Sequence, residues 1–225
     1  MIFIDDYSRL TWIYLLKHRP NLIPIFQTFH KLIQTQFFRT IKKFQLENAQ
    51  EYNDKHFLSV LDSNGTFPHR SYPYTSQQNG CAKHKLHHIL DTVCTLLMSA
   101  SMPEHFWGET AHTTVYTTNL LPLPTTHNKS PFKLLYTQLL DYSSRRVFGF
   151  VCFASLPLHE RNKFEPWSCL CCFLGYGNSQ NGFHYYYPIF RCLRISHHVE
   201  FWENSNLLQS LAFSLYLLFY DSNFH

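Results

Sequence analysis

Three histidines with metal-ligand spacing lie on one predicted helix. His84 precedes His87 by three residues and His88 by four, so their rings share one side of a helix and the spacing suits zinc chelation. Neither a glutamate nor a further ligand accompanies these histidines at a spacing known from zinc sites. A solvated, mildly basic helix face is therefore the preferred interpretation.

Seven cysteines form a second group of side chains that could bind a metal ion or react. Cys169, Cys171 and Cys172 are clustered and Cys192 follows, but a zinc ribbon needs two Cys pairs or a Cys/His set. An odd cysteine count in a chain of this length, without a secretory signal, favours reduced thiols in an intracellular protein. We therefore expect buried free thiols.

Two adjacent carboxylates, Asp5 and Asp6, are the most obvious acidic pair. Neighbouring residues on a strand point to opposite faces, so the pair cannot serve one metal site. Turn chemistry is the preferred interpretation of both residues.

A run of amide and basic side chains offers hydrogen-bond donors for a DNA backbone. Binding through so few charges is expected to be weak and strongly salt-dependent. The alternative is a solvated surface with no binding role. The run consists of Gln77, Gln78, Asn79, Lys83, His84, Lys85 and His87.

Composition narrows the class of protein. Only 15% of the 225 residues are charged, whereas 21 Phe, 14 Tyr and 4 Trp are present. This composition excludes a disordered tail and a collagen-like chain. A net charge of +4 is compatible with nucleic acid without indicating it. The apolar run at 207–220 is shorter than the roughly 20 residues that span a bilayer.

Hydrophobic periodicity predicts an α/β arrangement in the first part of the chain. Turn residues at 5–9 separate two strand-like runs, which predicts a hairpin. The predicted elements are strands at 2–4 and 10–16, a helix at 21–37, a strand at 40–46, a helix at 54–62 and a strand at 66–72.

The second part begins with a long helix from about Gly80, with a predicted apolar stripe at Leu86, Ile89, Leu90, Val93 and Leu97. A capping box at 101–104 is predicted to start a second helix that ends before Pro122. A Pro/Thr-rich linker at 122–131 follows. Short strands then predict a small β-module, at 147–153, 169–173, 183–187, 192–195 and 199–202.

Six strings of residues, spread over residues 1–203, carry a resemblance to a known family. They are Phe3-Ile4-Asp5-Asp6-Tyr7-Ser8-Arg9 with Thr11-Trp12, Glu47-Asn48-Ala49-Gln50-Glu51-Tyr52, the run at 73–82, Pro103-Glu104-His105-Phe106-Trp107, Arg146-Val147-Phe148-Gly149 and Cys172-Phe173-Leu174-Gly175-Tyr176. In this order and at these spacings they resemble the integrase region of copia-type retrotransposon Pol polyproteins.

The resemblance implies a truncated RNase H-like integrase core followed by an SH3-like β-domain. In the family the first strand lies at the centre of the core sheet, and here it would precede Met1. We therefore expect unpaired strand edges and a marginally stable core. The expected segments are the core at 1–121, a linker and short helix at 122–145, the β-domain at 146–203 and an unmatched apolar tail at 204–225.

Intact members of the family hold two Mg²⁺ or Mn²⁺ ions through two aspartates and a glutamate, and join DNA ends to target DNA. The resemblance places Glu47 at the second carboxylate and Lys83 at the glutamate, while the first aspartate would precede Met1. Glu47 moves its carboxylate by roughly 1 Å, and the Lys83 ammonium repels a cation. We therefore expect no metal cofactor and no catalysis, although the chain resembles a polynucleotidyl transferase.

The sequence thus predicts an inactive integrase relative associated with DNA integration and nucleic-acid binding. The alternative is a non-catalytic DNA-binding or protein-interaction module. Weakly bound DNA and further copies of the chain are the partners left open, whereas a membrane or small-molecule substrate is not expected. The resemblance implies a nuclear location.

Overall fold

The computed structural model describes eleven segments of the chain. They are residues 1–17, 22–46, 55–70, 79–138, 140–143, 145–156, 161, 163–164, 166–177, 182–188 and 190–206. Glu47, Gln77, Gln78 and the apolar run at 207–220 lie outside them. The chain divides into two compact units, one formed by Met1–Ile4 with Trp12–His88 and the other by Asp5–Thr11 with Ile89–His225.

The first unit contains two separate two-stranded sheets and two helices. Strands β1 and β2 pair as the predicted hairpin, and β3 pairs with β4 in parallel. Within the described ranges, neither sheet is hydrogen-bonded to the other. The elements are β1 (Ile2–Ile4), β2 (Thr11–Ile13), α1 (Leu22–Phe37), β3 (Lys43–Leu46), α2 (Lys55–Ser63) and β4 (Phe67–Arg70).

Aromatic rings build the core of the first unit. Phe26 of α1 is fully buried, and its ring lies 5.0 Å from the ring of Phe44 and 5.4 Å from that of Phe57, centroid to centroid. Phe3 of β1 stacks on Phe29 at 4.1 Å. The predicted periodicity of α1 is confirmed, because residues three and four apart form its buried stripe.

The second unit combines helices with a five-stranded antiparallel sheet in the order β8-β7-β6-β5-β9. All five strands predicted from alternation are confirmed. The elements are α3 (Gly80–Ser99), which begins in the first unit, α4 (Trp107–Leu120), α5 (Pro131–Tyr136), β5 (Phe150–Ser155), β6 (Ser168–Tyr176), β7 (Phe183–Tyr187), β8 (Cys192–Ser196) and β9 (Val199–Asn206). Strand β9 continues past the expected boundary at residue 203.

The central strands β5 and β6 of the sheet in the second unit have buried residues on both faces. One face packs Val151, Cys172 and Leu174 against Met102 and Phe106. The opposite face has its own apolar cluster, formed by Cys152, Ala154, Cys169, Cys171, Phe173, Tyr185 and Tyr187. The two faces follow from the two-residue period of side chains along a strand.

The capping box predicted at 101–104 is wrong. Ser101 has a φ of 52° and ends α3 instead of starting a helix. The Met102 N–H donates to Leu97 O at 2.8 Å, the six-to-one bond of a Schellman motif. Pro103 precedes a single 3₁₀ turn at Glu104–Phe106, and α4 begins only at Trp107.

The predicted apolar stripe of α3 needs correction, and the segment predicted as a linker has a defined local structure. Leu86 and Leu90 are 44% and 46% exposed, so only Ile89 and Val93 of the stripe are buried. The 122–131 segment forms a closed turn, because a β-bridge joins Leu123 to Lys129 and the Thr126 side chain donates to the carbonyls of both.

The length and hydropathy of a helix determine whether it could cross a membrane. Within the described ranges, no helix is both long enough and apolar enough to cross a bilayer.

Candidate nucleic-acid interface

The predicted interface residues that the structure describes lie at the start of α3. Lys83, His84 and His87 are exposed, whereas Asn79 and Lys85 are half-buried. Gln77, Gln78 and Glu47 fall outside the described residues, so their place in the site stays a prediction.

The helical period divides these side chains between two sides of α3. Residues three and four apart share a face, so Lys83 and His87 lie together, next to His84. Lys85 lies on the flank nearer to buried Ile89. Burial lowers the pKa of Lys85, whereas the negative charge of Cys81 in its thiolate form raises it. The sequence predicted one basic run. In the structure Lys83, His84 and His87 form an exposed outward face, whereas Lys85 is half-buried and leans inward.

The first three turns of α3 contain no acidic residue of their own. From Asn79 to Leu90 the sequence contains no aspartate or glutamate, and Asp91 is the first. The N-terminal end of a helix also carries unsatisfied N–H groups and a partial positive charge, which favour anions. The positive side chains and the helix dipole therefore both favour binding of an anion at this end of α3.

Of the carboxylates that the sequence singled out, the structure describes Asp5 and Asp6, and both take part in local turn interactions. The Asp5 carboxylate accepts hydrogen bonds from the Ser8 N–H at 2.8 Å and the Ser8 hydroxyl at 2.7 Å, and Asp6 pairs with Arg9 at 2.9 Å. Their interpretation as turn residues is confirmed. Across the described ranges, no three His, Cys, Asp or Glu side chains are placed to hold a metal ion.

An arginine–tyrosine cluster in the second unit was missed by the sequence analysis. The Arg145 guanidinium lies 4.9 Å from the Tyr116 ring centroid and 5.4 Å from that of Tyr176, and donates to the Tyr116 hydroxyl. The two tyrosines stack at 4.5 Å. Three residues from distant parts of the chain carry no shared local pattern, so only the tertiary structure brings them together.

A histidine pair between α4 and β7 was also missed. Burial lowers the pKa of His112 and of His184, and the Glu109 carboxylate opposes the shift in both. His184 also lowers the pKa of His112. Only the Glu109–His112 spacing on one helix was visible in the sequence.

His30 of α1 is the most deeply buried histidine of the described residues. Its side chain is 2% exposed and its Nε2 atom has no hydrogen-bond partner in the described structure. Burial lowers its pKa below the ordinary value of 6.5, because the charged ring is poorly solvated there.

We expect the first unit to lose stability under mild acid because of His30. The neutral ring contributes stability above pH 6.5, the unfolded value, and that contribution is lost as the pH falls through the lower folded pKa. The slope from this one group is at most about 1.4 kcal/mol per pH unit. Urea unfolding of α1, followed by amide hydrogen exchange at several pH values, measures it. His30→Phe should flatten the profile, and equal slopes in both proteins would refute the role of His30.

Comparison with known proteins supports the fold and the origin of the chain. A model of the retroviral polymerase SH3-like domain matches residues 150–211, which include β5 to β9. The simian T-cell lymphotropic virus intasome, solved in complex with PP2A regulatory subunit B56 gamma, is similar with a TM-score of 0.50 and 12% identity, covering 86% of this chain and 68% of that one. The chain thus has the fold of a retroviral integrase core with an SH3-like β-domain.

Sequence relatives specify the family. The Retrovirus-related Pol polyprotein from transposon TNT 1-94 of Nicotiana tabacum is 32% identical over 202 residues, which are 90% of this chain and 15% of the relative. That from transposon RE1 of Arabidopsis thaliana is 34% identical over 222 residues, 94% of this chain and 15% of the relative. The chain is a relative of copia-type retrotransposon Pol polyproteins in their integrase region, so the resemblance predicted from six strings is confirmed. It spans about 15% of the length of these relatives.

Proposed function

We propose that this chain binds the DNA backbone through the outward face of α3 and does not catalyse strand transfer. The observation that carries the proposal is the exposure of Lys83, His84 and His87 on a helix start that is free of acidic residues up to Asp91. Basic and neutral donors of this kind contact phosphate oxygens without reading sequence. Similarity to the integrase region and to an intasome chain supports DNA as the partner.

The same face argues against metal-dependent chemistry. Lys83 stands where the family resemblance implies a glutamate ligand, and its side chain is exposed on α3. An ammonium group at that position raises the energy of a nearby divalent cation instead of binding it. The proposed role is therefore contact with DNA. In this role Lys83 binds a phosphate group at the position where the family has a glutamate that binds a metal ion.

Lys83→Gln is expected to weaken binding to a short duplex on the order of tenfold at low salt, because one phosphate contact is lost. The slope of log affinity against log salt concentration should fall by about 0.9. Fluorescence anisotropy across a salt series measures both quantities. Lys85→Gln should have a smaller effect, since Lys85 is half-buried and leans inward.

Lys31→Gln is the matched control, because Lys31 is an exposed lysine on α1. An equal loss from Lys31→Gln and Lys83→Gln would indicate a nonspecific charge effect and contradict the site. The same mixtures, supplied with Mg²⁺ or Mn²⁺, are expected to yield no joined DNA. Strand-transfer products would contradict the catalytic half of the proposal.

A further inference from the structure

Two thiols on the central strand of the five-stranded sheet lie in direct contact. Cys169 and Cys171 of β6 are two residues apart, so their side chains point to the same face. Their Sγ atoms are 3.3 Å apart, and both thiols are free and buried. The sequence predicted buried free thiols here, which is confirmed, but it did not show that two of them are in contact.

The surroundings make the two thiols chemically unequal. A hydrogen bond from Cys171 lowers the pKa of Cys169 and outweighs burial, which raises it; the Tyr187 hydroxyl and the Arg194 cation also lower it. That hydrogen bond to Cys169, together with burial, raises the pKa of Cys171. In its thiol form Cys169 donates to Ala154 O at 3.4 Å. Cys169 is thus the better thiolate and Cys171 the neighbouring proton donor.

Nearby thiols are placed differently. Cys152 lies opposite Cys171 in the β5–β6 register, and burial raises its pKa to about 12. Cys172 points to the other face of the sheet, where its Sγ lies 3.7 Å from the Met102 sulfur. Cys81 and Cys94 are exposed on α3, outside the sheet.

We propose that Cys169 and Cys171 form a dithiol that peroxide oxidises to an intrastrand disulfide. The Cys169 thiolate attacks one peroxide oxygen, giving a sulfenic acid and hydroxide, which takes up a proton to become water. The Cys171 thiol then attacks the Cys169 sulfur, forms the S–S bond and releases a second water. In sum, two thiols and one hydrogen peroxide yield one disulfide and two waters.

Size and exposure favour a small oxidant. Cys169 is 7% exposed and Cys171 is fully buried, so a protein or glutathione disulfide has no approach to either sulfur. Hydrogen peroxide is little larger than water. Closing the 3.3 Å gap to a bond of about 2.05 Å requires β6 to pucker locally. Oxidation therefore strains the strand that pairs with both β5 and β7.

The test treats the folded 225-residue chain with hydrogen peroxide, blocks the remaining thiols by alkylation and sequences the tryptic peptide 164–191 by mass spectrometry. We expect a loss of about 2 Da in this peptide, located between Cys169 and Cys171 and reversed by a dithiol reductant. Cys169→Ser should abolish oxidation in the peptide. Cys171→Ser should leave a sulfenic acid at Cys169 that dimedone traps when the oxidised chain is unfolded in urea.

Cys172→Ser is the matched control, because it changes a buried thiol of the same strand on the other face and should retain the disulfide. Near-ultraviolet circular dichroism before and after treatment verifies that the variants and the oxidised chain remain folded. A reduced 164–191 peptide after oxidation of Cys81 and Cys94 would overturn the proposal. A disulfide from Cys171 to Cys152 would overturn it as well.

Discussion

Gly175→Ala is expected to lower the free energy of unfolding of the second unit by about 2–6 kcal/mol. A Cβ atom at this position would lie 1.9 Å from Thr113 Oγ1 and 3.2 Å from Thr113 Cβ. The backbone also has a φ of 142°, which side chains other than glycine rarely adopt. Thr113 cannot move away freely, because its hydroxyl donates to Leu174 O at 2.6 Å.

Urea unfolding followed by near-ultraviolet circular dichroism measures the loss. Gly65→Ala is the matched control, since Gly65 also has a positive φ, of 65°, but a Cβ there meets no atom within 4 Å. It should cost only about 1 kcal/mol from backbone strain. Thr113→Ala should partly rescue Gly175→Ala in a double-mutant cycle, since it removes the closest atom. Equal effects of the two glycine substitutions would contradict the close packing of α4 on β6.

Phe26→Ala is expected to lower the free energy of unfolding of the first unit by about 3–5 kcal/mol. The ring is fully buried and contacts the phenylalanine rings of Phe3, Phe44 and Phe57 as well as the imidazole of His30. Isolated two-stranded sheets are only marginally stable in water, so β1–β2 and β3–β4 depend on this aromatic core. Removing the ring should leave the unit largely unfolded.

Amide hydrogen exchange measures this effect strand by strand. We expect protection of β1, β3 and α1 to fall sharply in Phe26→Ala. Phe38→Ala is the control, because it makes the same chemical change at a side chain that is 92% exposed, and it should alter stability by at most about 0.5 kcal/mol. Unchanged protection of the β1–β4 region in Phe26→Ala would show that the ring does not support it.

Local patterns predicted those elements whose period is strong. Strand β7 occurs at Phe183–Tyr187 as expected, and α1 differs from its predicted range by one residue. The error at Ser101 has a physical cause. A serine three residues before a glutamate suits a helix start, but Ser101 adopts the left-handed conformation that ends α3. The local residues support both roles, and only the packing of α3 selects one.

In the candidate site, too, some features follow from the local sequence and others depend on tertiary packing. Helical spacing was sufficient to place Lys83 beside His87. It could not show that Lys85 leans toward Ile89, because burial depends on what packs against the helix. The contact of Cys169 with Cys171 was likewise hidden, since it depends on side-chain rotamers as well as on the spacing along β6.

The strand order β8-β7-β6-β5-β9 constrains how the sheet assembles during synthesis. Strands β5 to β8 pair with their sequence neighbours, whereas β9 pairs with β5, joining Val199 to Ala154. A ribosome must therefore release the chain beyond Asn206 before β5 gains its second partner. Until then the edge of β5 that later pairs with β9 has no hydrogen-bonded partner. Bringing β9 to β5 closes the chain segment that contains β6 to β8, and the entropy lost in this closure sets a barrier late in folding.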